Sequence, residues 1–525
     1  MTHNAPKPPS PRMRIFFFSL AAALTIAACA TSAAPPTEIS DLPLDARPSA
    51  VPQQAADDYY KSAAASVDAR AGEAFVPKAK NVILFVGDGM GVSTVTAGRI
   101  YAGQHKGLDG ESYRLAMESL PYSAFSKTYS HDSQVADSAS TATAMMSGVK
   151  TGSRTLGLRS GVAFGNCASI EGQETDSIFE IAEQAGLDTG IVSTARITHA
   201  TPAATYSESA SRDWEDDTEV GDTGCKDIAR QLIEWPAGDG FEVILGGGRN
   251  PFYPAGSVDP ETGEASGRRA DGENLVETWL TGDGDRTYVY DKAGFDGVDF
   301  ASAGKVLGLF NPSHMQWELD RAEDKGGEPS LAELTKAAIT RLSQNDDGYV
   351  LLVEGGRIDH GHHATNAARA LGDTAALDEA VSAALAMTDA SETLIIVTAD
   401  HSHTLTIAGY PVRGNDILGK VAYGPGGLAR ADDGKPYTTL GYANGSTGCK
   451  PGQEDCARED LTTVDTTDKD FHQQALIFSG SETHAGEDVP VFASGPGAEL
   501  VRGTIEQNEI FHVMGRASGL VDYED

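Results

Sequence analysis

Residues 349–363 constrain the fold of this chain more than any other stretch; they read Tyr-Val-Leu-Leu-Val-Glu-Gly-Gly-Arg-Ile-Asp-His-Gly-His-His. The apolar run 349–353 lies between glycines, which is typical of a strand buried on both faces. Glu354 follows at its carboxyl end, and Asp359 and His363 stand four residues apart on one face of a helical turn. Buried carboxylates and imidazoles are costly unless they pair or hold a cation such as zinc, so this stretch predicts a metal site.

Other apolar runs repeat this arrangement of a buried strand with polar side chains near its end. They are 82–86 with Asp88, 394–399 with Asp400 and His401, 189–194 with His199 and Thr201, and 489–493 with His484 shortly before it. In open α/β sheets the ligand lies outside the carboxyl ends of the strands. We therefore expect these side chains to meet at one sheet edge and to form a hydrolytic site with several metal ions.

The chain has 525 residues, of which 40% are hydrophobic, and a formal net charge of −36. The length suffices for one large α/β domain with insertions or for two or three domains. This acidity argues against a nucleic-acid partner, because it leaves no basic footprint on the chain.

The first residues are typical of an export signal. An apolar segment, 15–28, follows Arg12 and Arg14 and is too short to span a bilayer. The sequence Ile-Ala-Ala-Cys at 26–29 resembles a bacterial lipoprotein box, which predicts lipidation of Cys29; ordinary cleavage near Ala-x-Ala is the alternative. We expect a signal peptide over 1–28, a disordered tether over 29–56, and an outer-membrane lipoprotein of a Gram-negative cell, facing the periplasm or the cell surface.

Four further cysteines are present, and an even number in an exported chain predicts disulfides. Proximity favours the pairs Cys167–Cys225 and Cys449–Cys456 among the three possible pairings. Their spacing matches no zinc-binding cysteine pattern.

Helical patterns alternate with the apolar runs, which predicts an α/β fold with a large, mostly parallel sheet between helices. We expect helices over 57–73, 92–103, 175–185 and 366–387, one that begins near 137, and one opened by the capping box Ser330-x-x-Glu333. One catalytic domain over 57–525 is predicted, with a Gly/Asp-rich insertion at about 413–480.

The chain resembles the alkaline phosphatases, and more the animal-type branch than the enterobacterial one. The likeness runs from about residue 56 to about 514. Its motifs are Val-Gly-Asp-Gly-Met-Gly (86–91), Asp-Ser-Ala-Ser-Thr-Ala-Thr (137–143), His-Ala-Thr-Pro-Ala (199–203), the stretch 354–363, Thr-Ala-Asp-His-Ser-His (398–403) and Glu-Thr-His-Ala-Gly-Glu-Asp (482–488). The resemblance implies an alkaline phosphatase-like fold and hydrolysis of phosphate monoesters.

The resemblance also implies a role for each matching residue. Ser138 would be the nucleophile that becomes phosphoserine, and Arg212 would hold two phosphoryl oxygens. Two zinc ions and one magnesium ion are implied. Their ligands would be Asp359, His363 and His484 for the first zinc; Asp88, Asp400, His401 and Ser138 for the second; and Asp88, Thr201 and Glu354 for magnesium.

Two histidines depart from the enterobacterial pattern and match the animal-type branch. His199 and His360 stand where the enterobacterial enzymes have Asp and Lys. A neutral imidazole beside the magnesium site predicts weaker, more exchangeable magnesium. His403 and Tyr410 also match animal-type positions, and the tyrosine there reaches the partner subunit, which implies a homodimer. His362 is expected to be a surface residue.

A calcium site is implied as well, at Glu261, Phe310 (backbone oxygen), Asn311 and Glu328. Asn311 stands where a glutamate is expected, and the loss of a carboxylate weakens a site for a hard cation.

The same residues also allow simpler interpretations. Taken one at a time, Asp88 could cap a turn, His363 could lie on an exposed helix and Arg212 could be a surface charge. A related phosphodiesterase or sulfatase would share the metal ligands, but would not be expected to keep Asp137-Ser138 and Arg212 together. A silent zinc- or phosphate-binding lipoprotein would lack a ligand, and a structural surface protein would not gather His and Asp at strand tips.

Overall fold

The computed structural model describes residues 47–72, 75–450 and 457–523. Its strands are β1 (Asn81–Gly87), β2 (Tyr122–Lys127), β3 (Asp188–Arg196), β4 (Val243–Gly247), β5 (Arg286–Val289), β6 (Lys305–Leu309), β7 (Tyr349–Gly355), β8 (Thr393–Ala399), β9 (Ser402–His403), β10 (Leu405–Ile407), β11 (Leu440–Gly445), β12 (Ala475–Phe478), β13 (His484–Ala485), β14 (Val489–Ser494) and β15 (Gly503–Glu506). Its helices are α1 (Asp58–Ala71), α2 (Val92–His105), α3 (Ser138–Ser147), α4 (Ile178–Gln184), α5 (Ala200–Ala203), α6 (Asp217–Val220), α7 (Ile228–Ile233), α8 (Leu275–Leu280), α9 (Lys292–Asp296), α10 (Leu331–Leu342), α11 (Arg357–His363), α12 (Ala367–Met387) and α13 (Glu509–Ser518).

Ten strands form the main sheet, in the order β15-β2-β14-β8-β1-β7-β3-β4-β6-β5. The pairs from β8 to β5 are parallel, and β14 runs antiparallel to both of its neighbours. The mostly parallel sheet predicted from the sequence is therefore confirmed.

Side chains of the central strands alternate between two hydrophobic cores, one on each face of the sheet. Val82 and Leu84 of β1 join the core that includes Phe179 of α4, while Ile83 joins the core that includes Leu334 of α10. A parallel strand covered by helices on both faces is apolar at every position, which explains the continuous runs in the sequence.

The register of the central strands aligns their carboxyl ends. Val86 of β1 pairs with Glu354 of β7 on one side and with Thr398 of β8 on the other. Asp88 and Asp400 come immediately after these strands and therefore start from neighbouring points on one edge of the sheet.

Residues 47–56, which the sequence assigned to a disordered tether, are part of the folded domain. Residues Gln53–Ala56 form a 3-10 helix, and the buried side chain of Gln54 donates a hydrogen bond to the Ser147 carbonyl at 2.8 Å. The tether assignment fails here because a polar, alanine-rich segment can be held by a few buried hydrogen bonds. The signal peptide, the lipidation site Cys29 and most of the tether lie outside the described residues.

Two smaller sheets lie beyond the main one. Strands β10, β11 and β12 form a three-stranded sheet in the region around the expected insertion, and β9 pairs with β13. The β9–β13 pair sets His484 directly opposite His403. Among the described helices, none has the length and apolar character required to cross a bilayer.

Cys167 and Cys225 form a disulfide, as expected from the sequence. Cys456 lies outside the described residues, so its pairing with Cys449 stays a prediction.

Candidate active site

The edge at the carboxyl ends of β1, β7 and β8 gathers three groups of acidic and imidazole side chains. Within each group, one ligand atom per residue lies within 4.8 Å of all the others. The groups are Asp359, His363, His403 and His484; Asp88, Asp400 and His401; and Asp88, His199 and Glu354.

The first group is built around Asp359 in the short helix α11, which follows β7 directly. Asp359 Oδ1 lies 3.3 Å from His363 Nε2 and 3.4 Å from His484 Nε2. The helical spacing of four residues brings His363 to Asp359, as the sequence predicts. His484 comes from β13, more than a hundred residues later, and completes the group.

The ring orientations of His363 and His484 suit a cation. His363 Nδ1 donates to the Glu482 carbonyl at 2.6 Å, and His484 Nδ1 donates to the Ala136 carbonyl at 2.8 Å. In the neutral tautomer that these hydrogen bonds select, each Nε2 carries a lone pair, and the two Nε2 atoms lie 3.2 Å apart. Two lone pairs do not bond each other, whereas a metal ion between them would accept both.

His403, which the sequence places at an animal-type position without a contact partner, also belongs to this group. Its Nε2 donates to Asp359 at 2.7 Å and its Nδ1 donates to Glu482 at 2.5 Å. Burial opposes the charged ring, but the hydrogen bonds to Asp359 and Glu482 raise the pKa of His403 to about 9. His403 is thus a buried cation that fixes Asp359, and only the pairing of β9 with β13 brings it there.

The second group joins the ends of β1 and β8. His401 Nε2 lies 3.4 Å from Asp88 Oδ1 and 3.2 Å from Asp400 Oδ2. Burial, and then repulsion from Asp400 and Asp359, raises the pKa of Asp88 well above its usual range. Asp88 Oδ2 is buried and has no hydrogen-bond partner in the described part of the chain.

Ser138 is the first residue of α3 and points into the second group. Its Oγ lies 3.1 Å from His401 Nε2 and 3.4 Å from Asp88 Oδ1. The Asp137 side chain caps α3 by accepting from Ala139 N at 3.2 Å. A hydroxyl at a helix N-terminus beside a cation site is well placed to lose its proton.

Arg212 lies between Asp137, which caps α3, and His199 of the third group. One of its terminal nitrogens donates to Asp137 Oδ2 at 3.1 Å, and the other donates to His199 Nε2 at 3.0 Å. Burial opposes the charge, but the carboxylates of Asp137 and Asp88 raise the pKa of Arg212. The guanidinium is therefore a fixed cation with both arms turned toward the site.

The third group contains Glu354, at the end of β7. Burial raises the pKa of Glu354 to about 8, although the hydroxyls of Ser193 and Thr201 favour its ionised form. Burial and the charge of Arg212 lower the pKa of His199, so that ring is neutral. Hard oxygens from Asp88, Glu354 and Thr201 suit magnesium.

His360 lies behind His199, with their ring centroids 5.5 Å apart. Its Nδ1 accepts from Arg357 at 3.1 Å. Burial, together with the charge of Arg357, lowers the pKa of His360 to about 3. His360 therefore stands beside the site as a neutral ring, in the outer position that the resemblance implies.

His362 is buried, and the expectation of a surface residue was wrong. It is 0% exposed and contacts Thr94 Oγ1 at 3.0 Å and the Tyr442 hydroxyl at 2.9 Å. The helical spacing turns His362 away from Asp359, but toward α2 and β11 rather than toward solvent. Sequence spacing alone could not show that these elements cover it.

The residues expected to bind calcium already have partners within the protein. Glu261 forms an ion pair with Arg249, whose side chain is 0% exposed, and its other carboxylate oxygen accepts from Gly326 N at 3.3 Å. Arg249 therefore balances part of the negative charge of Glu261.

The other half of the expected calcium site is also satisfied. Glu328 accepts from Asn311 Nδ2 at 2.9 Å and from Gln316 N at 2.7 Å. Asn311 Oδ1 accepts from Ser313 N at 3.0 Å. These side-chain oxygens accept N–H donors in the structure, and the calcium site that the resemblance implies stays a prediction.

Comparison with known proteins places this geometry in context. Residues 79–520 match the family model described as "Alkaline phosphatase". The alkaline phosphatase of Gadus morhua is 43% identical over 452 residues, covering 84% of this chain and 92% of that protein. The tissue-nonspecific isozyme of Felis catus is 44% identical over 449 residues, covering 84% of this chain and 83% of that protein.

Among solved structures, one is a His-to-Asp variant of the alkaline phosphatase from the Antarctic bacterium TAB5, with magnesium bound. It is 25% identical, with a TM-score of 0.58, and covers 85% of this chain and 99% of that one.

Proposed function

The chain belongs to the alkaline phosphatase family and hydrolyses phosphate monoesters, and we propose that it does so through a phosphoserine on Ser138, with two zinc ions and one magnesium ion. The single observation that carries this proposal is the position of Ser138 Oγ, 3.1 Å from His401 Nε2 and beside the unpartnered Asp88 carboxylate.

The residues present fit the three cations. The first zinc would be held by Asp359, His363 and His484, the second by Asp88, Asp400, His401 and the Ser138 oxygen, and the magnesium by Asp88, Thr201 and Glu354. The facing lone pairs of His363 and His484 support the first site. When bound, the metal ions would supply Lewis-acid stabilisation of the oxygens around phosphorus.

In the reaction, Arg212 holds two phosphoryl oxygens with its two terminal nitrogens. The Ser138 oxygen attacks phosphorus, the bond from phosphorus to the ester oxygen breaks, and the alcohol leaves with a proton. Water then attacks the phosphoserine, the bond from phosphorus to Ser138 breaks, and inorganic phosphate departs. Asp137 restrains both Ser138 and Arg212, because its carboxylate caps α3 and accepts a hydrogen bond from Arg212.

The TAB5 enzyme binds magnesium in a variant in which a histidine is replaced by aspartate, and this supports a magnesium site in the present chain. His199 is the candidate in this chain, since it lies in one group with Asp88 and Glu354.

The test is hydrolysis of an aryl phosphate monoester by the parent and by Ser138→Ala, with mass spectrometry of acid-quenched enzyme. We expect a phosphorylated peptide containing Ser138 in the parent and its loss, with an activity loss of at least about 1,000-fold, in the variant. Chelation should abolish activity, and zinc with magnesium should restore it. Faster turnover of a diester or a sulfate ester would favour the related phosphodiesterase or sulfatase instead.

Extracytoplasmic phosphate scavenging by a lipid-anchored homodimer completes the proposal. The Cys167–Cys225 disulfide supports export to an oxidising compartment. Tyr410, 86% exposed, supports a subunit contact. Loss of fatty-acid labelling in Cys29→Ser would test the lipid anchor. Light scattering would test the dimer: the parent should have the mass of two chains, and Tyr410→Ala a lower mass.

A further inference from the structure

A buried carboxylate, that of Glu482, lies behind the first group of candidate metal ligands. Glu482 precedes β13 by two residues and is 1% exposed. None of the steps proposed for the reaction uses this carboxylate. A buried carboxylate is costly unless its oxygens are paired, so the partners of Glu482 indicate what it does.

The two carboxylate oxygens of Glu482 accept three hydrogen bonds. Oε2 accepts from His403 Nδ1 at 2.5 Å. Oε1 accepts from Thr404, from its backbone N–H at 2.7 Å and from its hydroxyl at 2.6 Å. Both oxygens are therefore bonded to residues in or next to β9, the strand that pairs with β13.

The hydrogen bond to His403 orients this ring toward Asp359. With Nδ1 held by Glu482, the other ring nitrogen, Nε2, donates to Asp359 Oδ1 at 2.7 Å. The same oxygen lies 3.3 Å from His363 Nε2 and 3.4 Å from His484 Nε2. Hydrogen-bond partners behind metal ligands fix the orientation of those ligands. The Glu482 carboxylate therefore restrains, through His403, the oxygen on which the first group converges.

The backbone of Glu482 is bonded to a second ligand of this group. Its carbonyl accepts from His363 Nδ1 at 2.6 Å, and its N–H donates to the His363 carbonyl at 3.0 Å. The third ligand, His484, follows two residues later in the chain. A change of the Glu482 side chain leaves these backbone links in place, so the part of the carboxylate can be tested by itself.

We propose that Glu482 is a positioning residue of the first zinc site, whose carboxylate holds Asp359 in place through His403 and thereby slows the loss of zinc. The inference rests on the proposed function, because Asp359, His363 and His484 are the zinc ligands proposed there.

Glu482→Gln tests the carboxylate with almost no change in size. Glutamine has one accepting oxygen, which the two donors of Thr404 would hold, so its amide nitrogen would face His403 Nδ1. Two N–H groups repel each other, and the ring is then no longer held toward Asp359.

The measurement is zinc release from the zinc- and magnesium-loaded protein into excess chelator, followed with a zinc-sensitive dye. We expect one of the two zinc ions to leave Glu482→Gln at least about 10-fold faster than it leaves the parent, and the other to leave at the parent's rate. With cobalt in place of zinc, the visible absorption bands should shift in Glu482→Gln, because they depend on ligand geometry. Unchanged bands would overturn the proposal, since a mere loss of fold stability would leave them as in the parent.

Thr404→Val is the matched control. It keeps the size of the side chain and removes one hydrogen bond to the same carboxylate, but leaves the contact of Glu482 with His403. Zinc should leave this variant at close to the parent's rate. Release as fast as in Glu482→Gln would show that the carboxylate only holds the β9 segment, and would overturn the proposal.

Two further backgrounds locate the effect. In His484→Ala, which lacks a ligand of the first site, added Glu482→Gln should not change the release of the remaining zinc; faster release there would overturn the proposal. Glu482→Gln/His403→Gln should release zinc no faster than His403→Gln alone, because Glu482 acts through His403. Effects of the two substitutions that multiply would overturn this route.

Failure of this inference differs from failure of the proposed function. A parent protein that binds no zinc would overturn both. A parent with two zinc ions that leave it and Glu482→Gln at equal rates would overturn only the role of Glu482.

Discussion

His363 and His484 face each other through Nε2 atoms 3.2 Å apart, while the Nδ1 of each ring is held by a backbone carbonyl. These carbonyls fix the tautomer of both rings and leave two lone pairs turned toward Asp359 Oδ1. A carboxylate and two unprotonated imidazole nitrogens at such distances are the donor set of a zinc site that keeps a position open for substrate.

Removing His484 should empty the first zinc site and spare the second. We expect His484→Ala to bind about one zinc ion less per chain than the parent, measured by mass spectrometry of the metal content, and to lose activity at least about 100-fold. The matched control is His131→Ala, which removes an exposed histidine. Full zinc content with full activity in His484→Ala would contradict this assignment.

His199→Asp should tighten magnesium binding. The substitution places a carboxylate next to Asp88 and Glu354, where the parent has a neutral ring, and a hard cation gains a charged oxygen. We expect activity of the metal-stripped variant, supplied with zinc, to recover at about 10-fold lower magnesium concentration than the parent. Equal magnesium requirements in the two proteins would count against the neutral imidazole as the cause of exchangeable magnesium.

Arg212→Lys should weaken recognition of the phosphoryl group. Lysine keeps the charge but cannot reach Asp137 and His199 with two nitrogens at once, as Arg212 does. We expect KM for an aryl phosphate and the inhibition constant for inorganic phosphate to rise together, about 10- to 100-fold. Arg114→Lys, at an exposed position, should leave KM and the phosphate inhibition constant unchanged. Unaltered phosphate inhibition in Arg212→Lys would show that Arg212 does not bind the phosphoryl group.

Loss of the Cys167–Cys225 disulfide should destabilise the domain. The bond closes a loop with a sequence separation of 58, which in the chain-entropy description corresponds to about 4 kcal/mol. We expect Cys167→Ser/Cys225→Ser to have a lower Tm in calorimetry, and the parent to show the same loss in reductant. A reductant effect of equal size in the double variant would point to the Cys449–Cys456 pair instead.

Glu208→Gln should stabilise the fold at alkaline pH and leave it unchanged near pH 4. Glutamate in an unfolded chain titrates near pH 4.3, whereas burial and neighbouring carboxylates raise the pKa of Glu208 to about 8 in the folded protein. Between these values the folded state holds a proton that the unfolded state has released, so the free energy of unfolding falls as pH rises.

The variant has no such ionisation. Near pH 9 it should therefore be more stable than the parent by roughly 1–3 kcal/mol, measured by denaturant unfolding. Glu264→Gln provides the control. If the free energies of unfolding of variant and parent differ by a constant amount from about pH 4 to about pH 9, the Glu208 carboxylate titrates normally.

Sequence patterns predicted most of the central sheet. The apolar runs at 82–86, 349–353 and 394–399 became β1, β7 and β8, because a strand buried on both faces needs an unbroken apolar sequence. The capping box predicted at Ser330 is present: the Ser330 side chain accepts from the Glu333 backbone N–H, and the Glu333 side chain accepts from the Ser330 backbone N–H. Tertiary packing set the start of the folded domain, where residues 47–56 dock through Gln54.

The site was predicted where its ligands lie near strand ends in the sequence, as with Asp88, Glu354 and Asp400. The contacts of His403 and His362 were not predicted from the sequence. Each contact depends on which element from a distant part of the chain lies opposite the histidine. His403 receives Glu482 and Asp359 through the pairing of β9 with β13. The ion pair between Arg249 and Glu261, at the expected calcium site, likewise forms only in the folded chain.

The sequence by itself determined the chemistry of the strand tips, because residue type and short-range spacing decide which side chains can serve as ligands. The tertiary structure decided which of those side chains meet and what charge they carry. It turned the Nε2 atoms of His363 and His484 toward each other, made His403 a buried cation and raised the pKa of Glu208 by burying it near other carboxylates. Distances between remote residues and the cost of burying their charges arise only when the chain has folded.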